Sequence, residues 1–116
     1  MKIGKIALQT AFVEKNVKLF QEIFDEHAIT EKGDRFHFPL EDCEVTFIQG
    51  NDPTLAELTL KLDIDHSLQD FAHRLQFIFY SQFGEHYEPS VDLRANRVTF
   101  YDFDGRIWHL EVTSHF

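Results

Sequence analysis

Glu57-Leu58-Thr59-Leu60-Lys61-Leu62 alternates polar residues with leucine without a break, and it is the second segment of the chain to open in this way. Alternation sends successive side chains to opposite faces of a strand, so the leucines form an apolar row and Glu57, Thr59 and Lys61 a polar one. About 52 residues earlier, Lys5-Ile6-Ala7-Leu8-Gln9-Thr10 alternates likewise, with Ile6 falling on Leu58 and Leu8 on Leu60. A helical period follows each strand. Val17, Phe20, Ile23 and Phe24 trace the first stripe, and Leu68, Phe71, Leu75 and Ile78 the second. Asp65-His66-Ser67 supplies a capping segment for the second helix.

Turn chemistry orders the remainder. Lys32-Gly33-Asp34 marks a turn, after which Arg35 to Phe38 and Cys43 to Gln49 read as strands joined through Pro39-Leu40-Glu41-Asp42. Gly50-Asn51-Asp52-Pro53 is the strongest break in the chain. Arg97 to Tyr101 and Arg106 to Thr113 form a closing hairpin around Asp102-Phe103-Asp104-Gly105. Strand, helix, turn, strand, strand thus occurs twice, in halves of about 1–51 and 52–116. At the last strand Thr46 meets His109, so additional residues lie between the second helix and the closing hairpin, around Gln76 to Ala95.

At 116 residues the chain fits one domain with a real core. A net charge of −9 with scattered Lys and Arg argues against nucleic-acid or anionic-membrane partners. Cys43 is the single cysteine, which excludes an intrachain disulfide, and its acidic neighbours Asp42 and Glu44 disfavour a reactive thiolate. The opening Met1-Lys2-Ile3-Gly4-Lys5 lacks the apolar run of a signal peptide, and no window is long enough to span a bilayer, so a cytoplasmic protein is the expectation.

On the faces turned away from the helices, alternation gathers Lys5 and Gln9 from the first strand, Glu57, Thr59 and Lys61 from the strand opening the second half, and His109 and Glu111 from the last strand. Two curved sheets would turn these faces into a polar cup, with Trp108, Leu110 and Val112 under the helix. Asp102, Asp104, Gly105 and Glu111 match part of a calcium-loop spacing, but Phe100 occupies the first-aspartate position and a turn is the better explanation. The histidines His27, His37, His66, His73, His86 and His115 show no close ligand pairing. Phe77 to Tyr87 is apolar on several sides, more than a surface helix needs; it reads as core with a dimer contact, or as a lid in which Phe83, His86 and Tyr87 cover the cup.

Lys5-Ile6-Ala7-Leu8, Leu19-Phe20 on the first helix, and Phe103-Asp104-Gly105 ahead of His109-Leu110 resemble the vicinal oxygen chelate superfamily of glyoxalase, bleomycin-resistance and extradiol dioxygenase proteins. The resemblance implies an α+β fold of two βαβββ repeats forming paired curved sheets around a cup with helices outside. It also implies metal positions in metal-dependent members. The opening histidine falls on Lys5, the last strand of the first half falls near Thr46 with Glu44 on the same face, the second opening histidine falls on Glu57, and the closing glutamate falls on His109. Lys5 cannot coordinate a cation, and Thr46 is a poor ligand. Glu44, Glu57 and His109 are the residues that would hold a metal; an ion pair between Lys5 and Glu57 in its place is the alternative.

The resulting expectation is a small-molecule binding protein of the glyoxalase and bleomycin-resistance type, a homodimer, with Lys5, Gln9, Thr46, Glu57, Thr59, His109 and Glu111 lining the cup. Cofactor and catalytic residues stay unknown, and a divalent metal is not favoured. A metal-dependent lyase, isomerase or dioxygenase is the competing reading, and a protein-interaction module is the third.

Overall fold

The computed structural model describes residues 4–40, 43–64 and 67–114. Met1 to Ile3, Glu41, Asp42, Asp65, His66 and His115 lie outside the described residues. The chain runs β1 (Lys5–Thr10), α1 (Val13–Phe24), β2 (Ile29–Glu31), β3 (Arg35–Pro39) and β4 (Glu44–Gln49). It then runs β5 (Glu57–Ile64), α2 (Leu68–Phe83), β6 (Ser90–Asp92), β7 (Arg97–Tyr101) and β8 (Ile107–Ser114). This is βαβββ twice, in an α+β fold. The sheets have the orders β1-β4-β3-β2 and β5-β8-β7-β6. In each, the first strand is parallel to the fourth, and the other pairs are antiparallel. Register confirms the repeat: Ala7 lies opposite Thr46, and Thr59 opposite His109.

By its contacts the chain divides into two compact units, Met1–Ala56 with Asp102–Arg106, and Glu57–Tyr101 with Ile107–Phe116. The division thus differs from the sequence halves at the β7–β8 turn, which belongs with the first unit.

In the first unit α1 buries Leu19, Phe20 and Ile23 against Phe38, Val45 and Phe47 of the sheet. The Phe20 ring stands edge-on to Phe47 with centroids 4.9 Å apart. Burying each such ring contributes about 1.5–3 kcal/mol. The helix stripe therefore runs through Leu19 and Ile23, with Val17 and Phe24 only half-buried beside it. Gly50 packs closely on Gln9: a Cβ there would fall 2.3 Å from the Gln9 side chain, which would have to shift.

The Asp102–Arg106 turn is held in this unit by a buried polar network. Asp102 folds the turn itself, its Oδ1 accepting from the N–H groups of Asp104 (2.9 Å) and Arg106 (3.1 Å), while Gly105 takes φ 86°. Arg106, expected at the start of the last strand, instead sits in the turn with its side chain fully buried. Its guanidinium donates to Asp102 Oδ2, the Thr54 carbonyl and the Gln9 carbonyl at 2.6 Å each, and to Asp104 Oδ2 at 3.0 Å. Asp104 also accepts from the Thr10 hydroxyl, from Ala11 N–H and from Asn16 Nδ2, and Asn16 Oδ1 accepts from Phe103 N–H. Nearly every donor meets an acceptor, the condition under which a buried ion pair is tolerated.

In the second unit the core is apolar: Leu60, Val98, Phe100, Trp108, Leu110 and Val112 from the sheet, and Leu68, Phe71, Leu75, Ile78 and Phe79 from α2. Ser67 caps α2, its Oγ accepting from Asp70 N–H at 3.2 Å, and Gly84 ends the helix in the left-handed region at φ 67°. No described helix is long and apolar enough to cross a membrane.

Candidate functional site

On the face of the second sheet away from α2, β8 presents His109 and Glu111 between the side chains of β5 and β7. Register sets Thr59 and Thr99 opposite His109, and Arg97 opposite Glu111. His109 is largely enclosed, with 13% of its side chain exposed, and both ring nitrogens are engaged. Nε2 lies 2.5 Å from Glu57 Oε2, and Nδ1 lies 2.7 Å from Thr99 Oγ1. A carboxylate only accepts, so Nε2 carries the proton; in the neutral ring Nδ1 then accepts from the Thr99 hydroxyl. Glu57 is 64% exposed, which leaves this dyad open to solvent on the carboxylate side. Beside it Arg97 pairs with Glu111 at 2.9 Å, and its buried Nε has no hydrogen-bond partner among the described residues.

The polar face of the first sheet carries a second version of the same arrangement, which sequence reasoning missed. His37 Nδ1 lies 2.7 Å from Thr46 Oγ1, and His37 Nε2 lies 3.7 Å from Glu31 Oε1. His37 on β3 is opposite Thr46 on β4, just as Thr99 on β7 is opposite His109 on β8. The same cross-strand rung thus holds a Thr–His pair in both units, with the two residues exchanged. His37 has no sequence neighbour that suggests a partner; the signal was the repeat register, which sets His37 against Thr99.

Of the expected cup residues, Glu57, Thr59, His109 and Glu111 share the polar face of the second sheet, and Lys5 and Thr46 that of the first. Lys5 and Glu57 were expected to pair with each other; the structure gives each a partner in its own sheet. The Lys5 ammonium is 3.8 Å from Glu44, and Glu57 is bound to His109. The Gln9 backbone is committed to Thr54 and Arg106, its N–H to Thr54 Oγ1 and its carbonyl to Thr54 N–H and the guanidinium.

Phe83, His86 and Tyr87, expected as a lid on the polar face, lie instead with α2 on the opposite side of the second sheet. The Tyr87 ring is 4.6 Å from Phe79, Phe83 is 6.2 Å from Phe79, and His86 is 5.1 Å from Tyr80. Tyr87 Oη accepts from Tyr101 N–H at 3.0 Å. Burial of the phenol pushes its pKa above the ordinary 10.0 despite that hydrogen bond.

The donor set does not fit the metal that the resemblance implies. Among the described residues no group of three or more His, Cys, Asp or Glu side chains could hold a metal ion. Lys5 is a cation, the Thr46 hydroxyl is engaged with His37, and His109 and Glu57 are bonded to one another.

No family model matches the sequence, and no curated protein matches it either. Solved structures do. The fosfomycin resistance protein FosX from Listeria monocytogenes superposes with a TM-score of 0.66 at 16% identity, over 99% of this chain and 95% of that one. FosX from Mesorhizobium loti gives 0.63 at 18% identity, over 94% and 89%. An integron cassette protein from V. cholerae gives 0.63 at 14% identity, over 98% of both chains. The fold is that of the vicinal oxygen chelate proteins. Identities this low carry fold and nothing finer, so activity rests on the site's own chemistry.

Proposed function

We propose that this protein is a small-molecule binding domain of the glyoxalase and bleomycin-resistance type with no obligatory metal, its ligand contacted by the polar face around His109. The observation that carries the reading is the engagement of both His109 nitrogens. Thr99 and Glu57 fix the ring's orientation and tautomer and use both its nitrogens, so the ring anchors the Glu57 carboxylate on the ligand face rather than waiting for an ion. The exposed Glu57 carboxylate supplies an acceptor next to it. Thr59 and Glu111 complete this face, and Lys5, Gln9 and Thr46 contribute the corresponding face of the first sheet. The protein acts as a cytoplasmic homodimer in this reading; sedimentation showing monomer alone at micromolar concentration would remove the dimer.

The experiment is elemental analysis after a chelator wash, joined to a thermal-shift screen of metabolites and divalent ions on wild type and His109→Ala. The expected result is no stoichiometric transition metal, and a ligand whose binding weakens in His109→Ala by about 0.5–1.5 kcal/mol, the net value of one hydrogen bond to the Glu57 carboxylate that the ring no longer positions. Stoichiometric metal retained by the wild type and lost from His109→Ala would replace this reading with a metal-dependent enzyme.

A further inference from the structure

The aromatic segment Phe77 to Tyr87 is not absorbed by the polar-face site, because it lies on the helix side of the second sheet. Two adjoining cavities of about 370 and 300 Å³ run there between α2 and the chain after it, sharing Gln76 and Glu88. From the geometry of this groove we propose that it binds a small organic cation, an amine or quaternary ammonium bearing an aromatic or aliphatic body.

Three features carry the proposal. Phe77 and Tyr80 stand one turn apart on α2 and are 66% and 56% exposed, and the His86 ring is tilted against Tyr80 at 42°. These rings line the groove, and aromatic rings attract a cation at close range. Glu85 and Glu88 line it, and neither cavity is lined by a lysine or arginine. Aromatic rings with carboxylates and no lysine or arginine favour positive charge over negative, and the chain's net charge of −9 acts in the same direction.

The wall opposite α2 is built rather than loose. Gly84 caps the helix, Glu85 N–H bonds the Phe79 carbonyl at 3.1 Å, and Tyr87 is pinned by its ring on Phe79 and its hydroxyl on Tyr101 N–H. Glu85 is therefore held by its backbone, and Glu88 follows directly on the anchored Tyr87. A volume of this size suits a small molecule.

The test uses benzyltrimethylammonium chloride as the probe, with benzyl alcohol and sodium phenylacetate as neutral and anionic comparators, followed by backbone and aromatic NMR. The expected result is saturable shifts confined to Phe77, Tyr80, His86 and their neighbours, with His109 unmoved. Binding should weaken about fivefold or more in Glu85→Gln/Glu88→Gln, and similarly in Tyr80→Leu, the order of one cation–π or charge contact. These are surface substitutions, and an unchanged spectrum elsewhere establishes that the variants fold. Equal response to all three probes would make the groove a plain apolar patch and overturn the proposal. So would shifts insensitive to the glutamates. Concentration-dependent broadening of Phe77 and Tyr80 with no probe effect would assign the face to a second copy of this chain and overturn it equally.

Discussion

The two units solve the same packing problem with different materials. Thr10 closes β1 and Asn16 enters α1, both fully buried, where the repeat places Leu62 and Leu68 in the second unit. The buried helix positions Asn16, Leu19, Phe20 and Ile23 match Leu68, Phe71, Ala72 and Leu75 in spacing, so the exchange is one polar group for one apolar group at a single site. The reason is the Asp102–Arg106 turn. Only the first unit receives it, and its carboxylates and guanidinium need the Thr10 hydroxyl, the Asn16 amide and the Gln9 and Thr54 carbonyls. A leucine at either position would leave donors or acceptors buried without partners. The difference teaches that a repeat conserves where side chains point, while what they must be depends on what arrives to cover them.

That comparison breaks most sharply at Arg106. Arg106→Ala leaves Asp102, whose side chain is fully buried, without its cation, removes the guanidinium donor from the Thr54 carbonyl, and leaves the Gln9 carbonyl with Thr54 N–H. Removing one partner of a buried pair costs about 3–5 kcal/mol. Urea denaturation should read a loss of that order; less than about 1 kcal/mol would show that water reaches the turn and that the network is not a core.

The reciprocal exchange of the helix positions sharpens it. Leu68→Asn puts an amide into an apolar core and removes a buried leucine, for a loss of about 2–5 kcal/mol. Asn16→Leu keeps the branched outline but is bulkier, removes the acceptor that Phe103 N–H uses and withdraws the amide donor from Asp104 and Thr10, for about 1–3 kcal/mol. Both should show in thermal or urea denaturation. A neutral or stabilising Asn16→Leu would mean that the turn docks through Arg106 alone.

How much of this was legible in the sequence follows from which forces are local. The alternation of Lys5–Thr10 and Glu57–Leu62, the helix stripes and the Gly50 and Gly105 turns each express a rule operating within a few residues, and the structure keeps them. The edge strands β2 and β6 could not be read, since three exposed residues carry no alternation. Arg106 was assigned to a strand because its role depends on Gln9 and Thr54, some 97 and 52 residues away in sequence. The partners of Lys5, Glu57 and His37 likewise depend on cross-strand register, which composition and spacing leave open. The second polar site is legible only after the strand pairing is known.

The smallest effects distinguish the two Thr–His rungs. His109 has its Nε2–H fixed by Glu57 at 2.5 Å, whereas His37 Nε2 stands 3.7 Å from Glu31, beyond a hydrogen bond. The Thr99 hydroxyl is therefore a second restraint on His109, while Thr46 supplies the first for His37. Thr99→Val and Thr46→Val each remove one hydroxyl at little change in shape and should cost about 0.5–1.5 kcal/mol. The tautomers should respond differently. In nitrogen-detected NMR of the neutral rings, His109 in Thr99→Val should stay with its proton on Nε2, because the carboxylate still accepts it. His37 in Thr46→Val should pass to a mixture of both tautomers. If the two histidines respond alike, Glu57 does not hold His109 in solution, and the ring that organises the proposed ligand face is no better fixed than its counterpart in the other unit.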